Sequence, residues 1–163
     1  MKIIRLDESH QNAVAPLIAA FRVTLRAFKG IQSEPDVAEG KEEFLDFLKT
    51  GYPVFGAEVN GTIAGYLVCR IEQPGLLWVE QLYVRENSRR QGIASILFEK
   101  AEEVGASMGE DTVYNYVHPN NDGMICFLRS RGYTVLNLIE IRKPYKGEKP
   151  TSTIDVGRNT FDY

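Results

Sequence analysis

The fold is decided by residues 76 to 98, which read Leu-Leu-Trp-Val-Glu-Gln-Leu-Tyr-Val-Arg-Glu-Asn-Ser-Arg-Arg-Gln-Gly-Ile-Ala-Ser-Ile-Leu-Phe. The first part, Leu76 to Val84, is mostly apolar, β-branched or aromatic, which is typical of a buried strand. A polar cluster follows, and from Ile93 onward the apolar residues recur at helical spacing. The sequence therefore predicts a strand, a short loop and a helix.

The predicted loop ends in small residues, Gly92 to Ala94, where the helix begins. Backbone N–H groups in the first turn of a helix have no partner within the helix, and the helix dipole adds partial positive charge there. Such a helix start binds phosphate groups. The loop is not a P-loop, because it lacks the Gly-Lys-Ser/Thr ending, and it lacks the Gly-x-Gly-x-x-Gly pattern of dinucleotide-binding loops.

Arg89, Gly92 and Ala94 fill the pattern Gln/Arg-x-x-Gly-x-Gly/Ala, so the loop resembles the pyrophosphate-binding segment of the GNAT N-acetyltransferase superfamily. The resemblance implies that acetyl-CoA is the acyl donor. Backbone groups of the loop would hold its pyrophosphate, and the preceding strand would hold its pantetheine arm. The implied cofactor-binding residues are Leu82, Tyr83, Val84, Arg89, Arg90, Gln91, Gly92, Ile93, Ala94, Ser95 and Asn121.

The resemblance covers about half of the chain, from Tyr52 to Tyr133. Asn60-Gly61 predicts a hairpin, because this pair supplies the positive φ angles of a type I′ turn, and the hairpin corresponds to the family's central antiparallel strands. Asn121 precedes a helical segment that ends in Phe127 to Tyr133, which resembles the family's second block, Asn…Phe-Tyr-x-x-x-Gly-Phe.

Two residues depart from the family pattern. Arg90 stands where a glycine is common, which is compatible with binding if the residue offers only its backbone N–H. Leu128 stands where many members carry the tyrosine thought to protonate the leaving thiolate. The tyrosines that could replace it are Tyr83, Tyr114, Tyr116 and Tyr133.

The predicted fold class is mixed α/β, with a GNAT-like central mixed sheet flanked by about four helices. The sheet is largely antiparallel, with one parallel, splayed strand pair, because a crossover helix joins the strands at 76–84 and 112–117. Further strands are expected at Lys2–Leu6, Tyr52–Val59, Thr62–Ile71, Thr134–Arg142 and Thr153–Val156, and helices around 14–21, 37–48, 93–104 and 124–128. We expect a single domain over 1–163, with a core of about 1–143. The tail, 144–163, either adds a last strand or crosses to a partner subunit.

Glu80 is the candidate catalytic residue. An alkyl ammonium with a pKa of about 10.4 must lose a proton before its nitrogen can attack a thioester, and a carboxylate is a suitable acceptor. Glu80 interrupts the apolar strand, and strand alternation predicts that it shares a face with Leu82. One alternative is that Glu80 only reaches solvent or pairs with an arginine such as Arg70 or Arg142. The proton would then leave through water, His118 or a tyrosine.

Composition excludes several other functions. A formal net charge of −3 gives no basic footprint for nucleic acid, and no apolar run approaches the length of a membrane span. The start of the chain does not resemble a signal peptide, so we expect a cytoplasmic protein. Cys69 and Cys126 are expected to be buried, reduced thiols, and His10 and His118 are too few to indicate a zinc site, so no metal is expected.

The sequence thus predicts an acetyl-CoA-dependent N-acetyltransferase that acts on the primary amine of a small molecule. Two alternatives stay open: a protein N-terminal or lysine acetyltransferase, with a peptide amine as acceptor, and a non-catalytic acyl-CoA-binding regulatory module. The resemblance also implies a homodimer.

Overall fold

The computed structural model describes residues 1–72 and 75–163, which form two compact units, Met1–Ile125 and Cys126–Tyr163. The sequence Gln73-Pro74-Gly75 predicts a turn before Leu76, and its first two residues lie outside the described residues. The elements are β1 (Lys2–Arg5), α1 (Gln11–Phe28), α2 (Val37–Lys49), β2 (Val54–Val59), β3 (Thr62–Glu72), β4 (Leu76–Val84), α3 (Ile93–Ser107), β5 (Tyr114–Asn115), α4 (Asp122–Ser130), β6 (Thr153–Val156) and β7 (Asn159–Asp162).

Strands β1 to β5 form one sheet in the order of the chain. The first four are antiparallel neighbours, and β5 runs parallel to β4. The turn between β2 and β3 has φ angles of 50° at Asn60 and 75° at Gly61, which confirms the predicted hairpin. The mixed α/β class with a parallel strand pair is therefore confirmed.

Helices α1 and α2 pack together on one face of the sheet. The side chain of Asp36 caps α2 by accepting a hydrogen bond of 3.0 Å from the backbone N–H of Glu39. Gly40 lets the helices approach closely, because a Cβ there would overlap the carbonyl oxygen of Ala15. The buried cluster under this helix pair comprises Leu6, Val14, Leu17, Ile18, Phe44, Val54, Ile63, Tyr66, Val68 and Tyr83.

Helix α3 covers the opposite face of the sheet, where it buries Ile93, Leu97, Phe98 and Ala101. A Cβ at Gly65 would lie 2.8 Å from the carbonyl oxygen of Tyr83 and 3.3 Å from Cγ2 of Ile93, so only glycine fits between β4 and α3. From Gly65 to Ile71, residues at odd positions of β3 therefore face α3, and those at even positions face α1 and α2. The register shift at Ala64 reverses this order before it, so Ile63 packs in the cluster under α1 and α2.

Strand β5 is shorter than predicted. The sequence suggests Thr112–Val117, but only Tyr114 and Asn115 pair, with Trp78 and Val79 of β4. Residues 112, 113, 116 and 117 have side chains that favour strands, but a strand also needs backbone hydrogen bonds to its neighbour. Because β4 and β5 separate, these residues have no such partner on β4.

In the unit Cys126–Tyr163, the predicted strand at Thr134–Arg142 is wrong. This stretch has no strand structure, and Val135 and Leu138 are 87% and 70% exposed. The stretch is rich in β-branched residues, but its backbone pairs with no other strand among the residues that the structure describes. The predicted strand Thr153–Val156 is present, and it pairs with β7 through a turn at Gly157, where φ is 64°.

Both cysteines are free thiols, as expected, but only Cys69 is buried and Cys126 is exposed. Burial raises the pKa of the Cys69 thiol to about 12. In the described part of the chain, no helix is long and apolar enough to cross a bilayer.

Candidate acetyl-CoA and acceptor site

A β-bulge lies in β4 at Glu80. Val68 of β3 pairs with Gln81 and the next residue, Cys69, pairs with Val79, so Glu80 is an extra residue without a partner on β3. The bulge reverses the alternation of side chains. Glu80 and Gln81 therefore both face α1 and α2, as the contacts given below confirm.

The prediction that Glu80 and Leu82 share a face is consequently wrong. Leu82 pairs with Leu67, an odd position of β3, so its side chain faces α3. Glu80 instead reaches Arg70, an even position, with 2.9 Å between its Oε2 and the arginine Nε. Simple alternation fails here because one extra residue shifts the phase of the strand.

The two parallel strands separate where the bulge lies. Trp78 and Val79 are the β4 residues that pair with β5, so the backbone from 80 to 84 has no strand partner on that edge among the described residues. An unpaired strand edge presents N–H and C=O groups to whatever lies beside it. An extended, amide-containing chain can bind to such an edge.

The loop between β4 and α3 begins with a single turn of 3₁₀ helix, Glu86–Ser88, and ends at Gly92. Gly92 is the N-cap of α3 in the left-handed conformation, with φ of 79°, and it has no side chain that could cap the helix. The backbone N–H of Ile96 bonds to the Gly92 carbonyl oxygen at 3.2 Å. The N–H groups of Ile93, Ala94 and Ser95 precede this bond, so they can bind an anion.

The side chain of Arg89 turns back toward β4. Its Nε donates to the carbonyl oxygen of Val84 at 3.0 Å, and its guanidinium carbon lies 5.5 Å from the centre of the Tyr83 ring. Glu86 lies 3.8 Å from the same guanidinium group. Arg89 therefore fixes the loop to the end of the strand, and backbone groups are left to form the anion cradle.

Asn121 caps α4, because its Oδ1 accepts a hydrogen bond of 3.1 Å from the backbone N–H of Met124. The loop before it contacts the end of α1: Asn120 Nδ2 donates to the carbonyl oxygen of Phe28 at 3.0 Å, and His118 stacks on the Phe28 ring at 5.8 Å. Burial, and then the charge of Lys29, lower the pKa of His118, so this ring is neutral at neutral pH.

Glu80 is one of two carboxylates on Arg70, and its side chain is 32% exposed. The other is Glu72, which also forms an ion pair with this guanidinium. Pairing with Arg70 is thus present, whereas Arg142 pairs with Glu148. The ion pair does not exclude a second role, and proton transfer at Glu80 stays a prediction.

Sequence reasoning missed a buried polar network next to the bulge. Tyr66 Oη donates to Gln81 Oε1 at 2.8 Å, Gln81 Nε2 donates to Glu43 Oε1 at 2.6 Å, and Arg22 Nε donates to Glu43 Oε2 at 2.8 Å. Burial raises the pKa of Tyr66, so its hydroxyl stays protonated as a donor. Gln81 is only 2% exposed, and a glutamine within an apolar strand was the available signal. The network ties the bulge to both helices.

Two cavities open beside α1. One, of about 590 Å³, lies between α1 and α2 and is lined by Arg22, Leu25, Arg26, Lys29, Glu39, Glu42, Glu43, Asp46 and Phe47. The other, of about 490 Å³, adjoins the loop after β4 and is lined by Ala20, Val23, Thr24, Pro35, Tyr83, Arg85, Glu86 and Asn87. Both are large enough for part of a small-molecule ligand.

A sequence model described as the acetyltransferase (GNAT) family matches residues 18–133. The chain belongs to the GNAT family. It is therefore an acyltransferase of the N-acetyltransferase type, and the match includes β4, the loop, α3 and most of α1.

Individual GNAT proteins resemble the chain at low identity. An N-acetyltransferase in the pepI 3′ region of Lactobacillus delbrueckii subsp. lactis is 27% identical over 149 residues, covering 82% of this chain and 84% of the relative. The structure of AAC(6′)-Iy with the bisubstrate analogue CoA-S-monomethyl-acetylneamine superimposes with a TM-score of 0.67 at 18% identity, over 88% of this chain and 98% of that one. A ribosomal-protein-alanine N-acetyltransferase from Brucella melitensis biovar Abortus 2308 gives 0.68 at 17% identity, over 89% and 100%. At these identities the two structures show the shared fold.

Both departures from the GNAT pattern have a structural account. Leu128 is buried on α4, where it is 7% exposed, and its side chain has no acidic group that could protonate a thiolate. Arg90 has φ of 63°, in the left-handed region where glycine costs least, which explains why a glycine is common there in the family.

Replacing Arg90 by glycine should therefore leave acetyl-CoA affinity within about two-fold and change the free energy of unfolding by less than about 1 kcal/mol. Relief of the left-handed strain, about 1–2 kcal/mol, offsets the larger conformational entropy that glycine has in the unfolded chain. Calorimetric titration and urea denaturation measure the two effects. A loss of affinity above ten-fold would show that the Arg90 side chain itself contacts the ligand.

Proposed function

We propose that the protein transfers the acetyl group of acetyl-CoA to the primary amine of a small molecule. The observation that carries this proposal is the continuity of three features: the bulge at Glu80, the unpaired edge of β4 beyond it, and the uncapped start of α3 at Gly92. They follow one another along the chain in the order in which the thioester, pantetheine and pyrophosphate follow one another in acetyl-CoA.

The GNAT family uses acetyl-CoA, and in this proposal the donor is held mainly by backbone groups. The arm binds along the edge at Leu82, Tyr83 and Val84, and the pyrophosphate binds at Arg89 to Ser95. Asn121 contacts the donor through its amide group while its Oδ1 caps α4. Binding through backbone N–H groups tolerates Arg90, since that side chain is not required.

For transfer, the neutral amine attacks the thioester carbonyl carbon, a C–N bond forms, and the C–S bond breaks. Glu80 accepts the proton that the amine loses, directly or through a water. The CoA thiolate leaves with the bonding electron pair. A thiol has a reference pKa of about 8.5, so its thiolate is a good leaving group even with Leu128 in place of the family's tyrosine. Tyr83, Tyr114, Tyr116 and Tyr133 stay the candidate acids, and of these Tyr116, which is 65% exposed, lies next to Glu80's partner Arg70.

Similarity of fold does not distinguish a small-molecule acceptor from a protein acceptor, because the two solved structures above have nearly equal TM-scores. The carboxylates of Glu80 and Glu72, which share Arg70, favour a cationic small molecule, since an ammonium group can lie against them without a large docking surface. A cytoplasmic location and a homodimer stay expectations of the sequence and the resemblance.

The experiment is an acceptor panel followed by release of free CoA thiol. The panel contains 1-aminobutane, 1,4-diaminobutane, free amino acids and peptides with a free N-terminus. We expect release that saturates with a small amine and rises with pH as the amine loses its proton. Faster release with peptides than with every small amine would support protein acetylation instead. If no amine or peptide raises release above the hydrolysis of acetyl-CoA alone, the proposal fails.

A further inference from the structure

Four side chains surround the guanidinium group of Arg70, and we name them the Arg70 box: Glu72, Trp78, Glu80 and Tyr116. Arg70 pairs with both carboxylates. Its guanidinium carbon lies 5.3 Å from the centre of the Trp78 ring and 5.9 Å from that of Tyr116. Trp78 Nε1 also donates to Glu72 Oε2 at 3.1 Å. Carboxylates combined with aromatic faces are the groups that bind organic cations.

The Arg70 box lies where β4 and β5 separate. Glu80 is the bulge residue on β4, and Tyr116 comes directly after Asn115, the last paired residue on β5. Arg70 and Trp78 form a cross-strand pair on the face that α1 and α2 cover. The box therefore stands at the point where the bulge interrupts the sheet, next to the proposed proton acceptor.

Arg70 does not fill the box. The Trp78 and Tyr116 rings are stacked, with centroids 4.4 Å apart and planes 7° apart. The guanidinium carbon is nearer to Trp78 than to Tyr116, so it does not lie on the outer face of Tyr116, and that side chain is 65% exposed. The hydroxyl group of Tyr116 is hydrogen-bonded to Arg70, whereas the outer face of its ring is open to a cation.

The charges also leave room for a second cation. The box contains two carboxylates and one guanidinium, which gives a local charge of −1 by that count. Partly exposed ion pairs contribute little to stability, so stability alone gives little reason to gather these groups.

We propose that the Arg70 box binds a second cationic group of the acceptor, on the outer face of Tyr116 and next to Glu72. The acceptor class is then a small diamine or polyamine: one amine is acetylated, and another is held as an ammonium ion in the box. This inference rests on the proposed function for the reaction, but the binding itself is tested without the reaction.

Trp78 is the only tryptophan of the chain, so its fluorescence reports on the box. The probes are 1,4-diaminobutane, 1-aminobutane with one charge, and 1,4-butanediol with none, all at the same ionic strength. We expect a saturable change with the diamine, binding at least about five-fold weaker with the monoamine, and no change with the diol. Calorimetry with the diamine gives the affinity independently of the fluorophore.

Three variants make the test specific. Tyr116→Leu should weaken diamine binding by about two- to five-fold, the value of an exposed cation–π contact, whereas Tyr116→Phe, which keeps the ring, should bind as the parent does. Glu72→Gln should weaken it by a similar factor. The matched control is Tyr145→Leu, since Tyr145 is also exposed, at 71%, but lies in the unit Cys126–Tyr163.

Equal affinity for the diamine and the monoamine, or unchanged diamine affinity in Tyr116→Leu, would overturn the inference. Neither result would count against the proposed function, because acetyl-CoA binding and acetylation of a monoamine do not need the outer face of Tyr116. Conversely, diamine binding that follows the expected variant order would support the box even in a protein that failed to bind acetyl-CoA.

Discussion

Glu80→Gln is expected to lower turnover by about one hundred-fold at neutral pH, the usual value of general-base assistance, and to leave acetyl-CoA affinity unchanged. The amide keeps the size of the side chain and an oxygen that can accept the hydrogen bond from Arg70 Nε, but it cannot take a proton from the amine. The rate should recover as the pH approaches about 10.4, where a typical alkyl amine loses its proton without help. Stopped assays of thiol release across this range, with the best amine of the panel, measure both effects.

Two control variants separate proton transfer from the ion pair. Glu72→Gln alters the other carboxylate on Arg70, which lies on β3 and not on the donor-binding strand β4, and it should keep its turnover with a monoamine. Arg70→Met removes the guanidinium and should reduce turnover less than Glu80→Gln does. If Arg70→Met costs as much as Glu80→Gln, or if Glu80→Gln has normal turnover at neutral pH, Glu80 is a structural partner of Arg70 and the proton leaves by another route.

Gly92→Asp is expected to weaken acetyl-CoA binding by more than about one hundred-fold while the protein stays folded. Aspartate is a favourable N-cap residue and tolerates the left-handed conformation, so its carboxylate would accept the first-turn N–H groups of α3 itself. It would also place a negative charge against the pyrophosphate, where the helix dipole otherwise favours an anion. The new Cβ has open space, but a φ of 79° strains any residue other than glycine by about 1–2 kcal/mol, so we expect the melting temperature to fall by only a few degrees.

Gly92→Asn is the matched control, because asparagine has the same shape and the same capping ability but no charge. It should weaken binding by a smaller factor than Gly92→Asp, since it competes for the N–H groups without repelling the phosphates. Titrations of both variants with acetyl-CoA give the comparison. Affinity of Gly92→Asp within a few-fold of the parent would show that the pyrophosphate does not lie at the start of α3.

The parts of the fold that local chemistry determines could be predicted from the sequence. Asn60-Gly61 specifies its turn through backbone conformation, Asp36 specifies the start of α2, and the apolar spacing after Gly92 specifies α3. The small residues Gly92 to Ala94 indicate the end of the loop and the start of the helix, and the structure adds that Gly92 is the N-cap.

What could not be predicted depends on pairing between distant segments. The bulge at Glu80 depends on the register between β3 and β4, and no residue of 76–84 indicates it in the sequence. The prediction that Leu82 shares a face with Glu80 was therefore wrong. The stretch Thr134–Arg142 has strand propensity without a strand partner. The surroundings of Glu80 likewise depend on Arg70, ten residues away on the neighbouring strand.

Calorimetric titration of the folded protein with acetyl-CoA is the most direct test of the proposed function, because every step of the acetyl transfer needs the donor bound at the β4 edge and the α3 start. We expect saturable binding with one acetyl-CoA per chain, competition by free CoA, and loss of the signal in Gly92→Asp. Absence of detectable binding at millimolar acetyl-CoA, with a protein whose circular dichroism shows it to be folded, would show that the protein is not an acetyl-CoA-dependent enzyme.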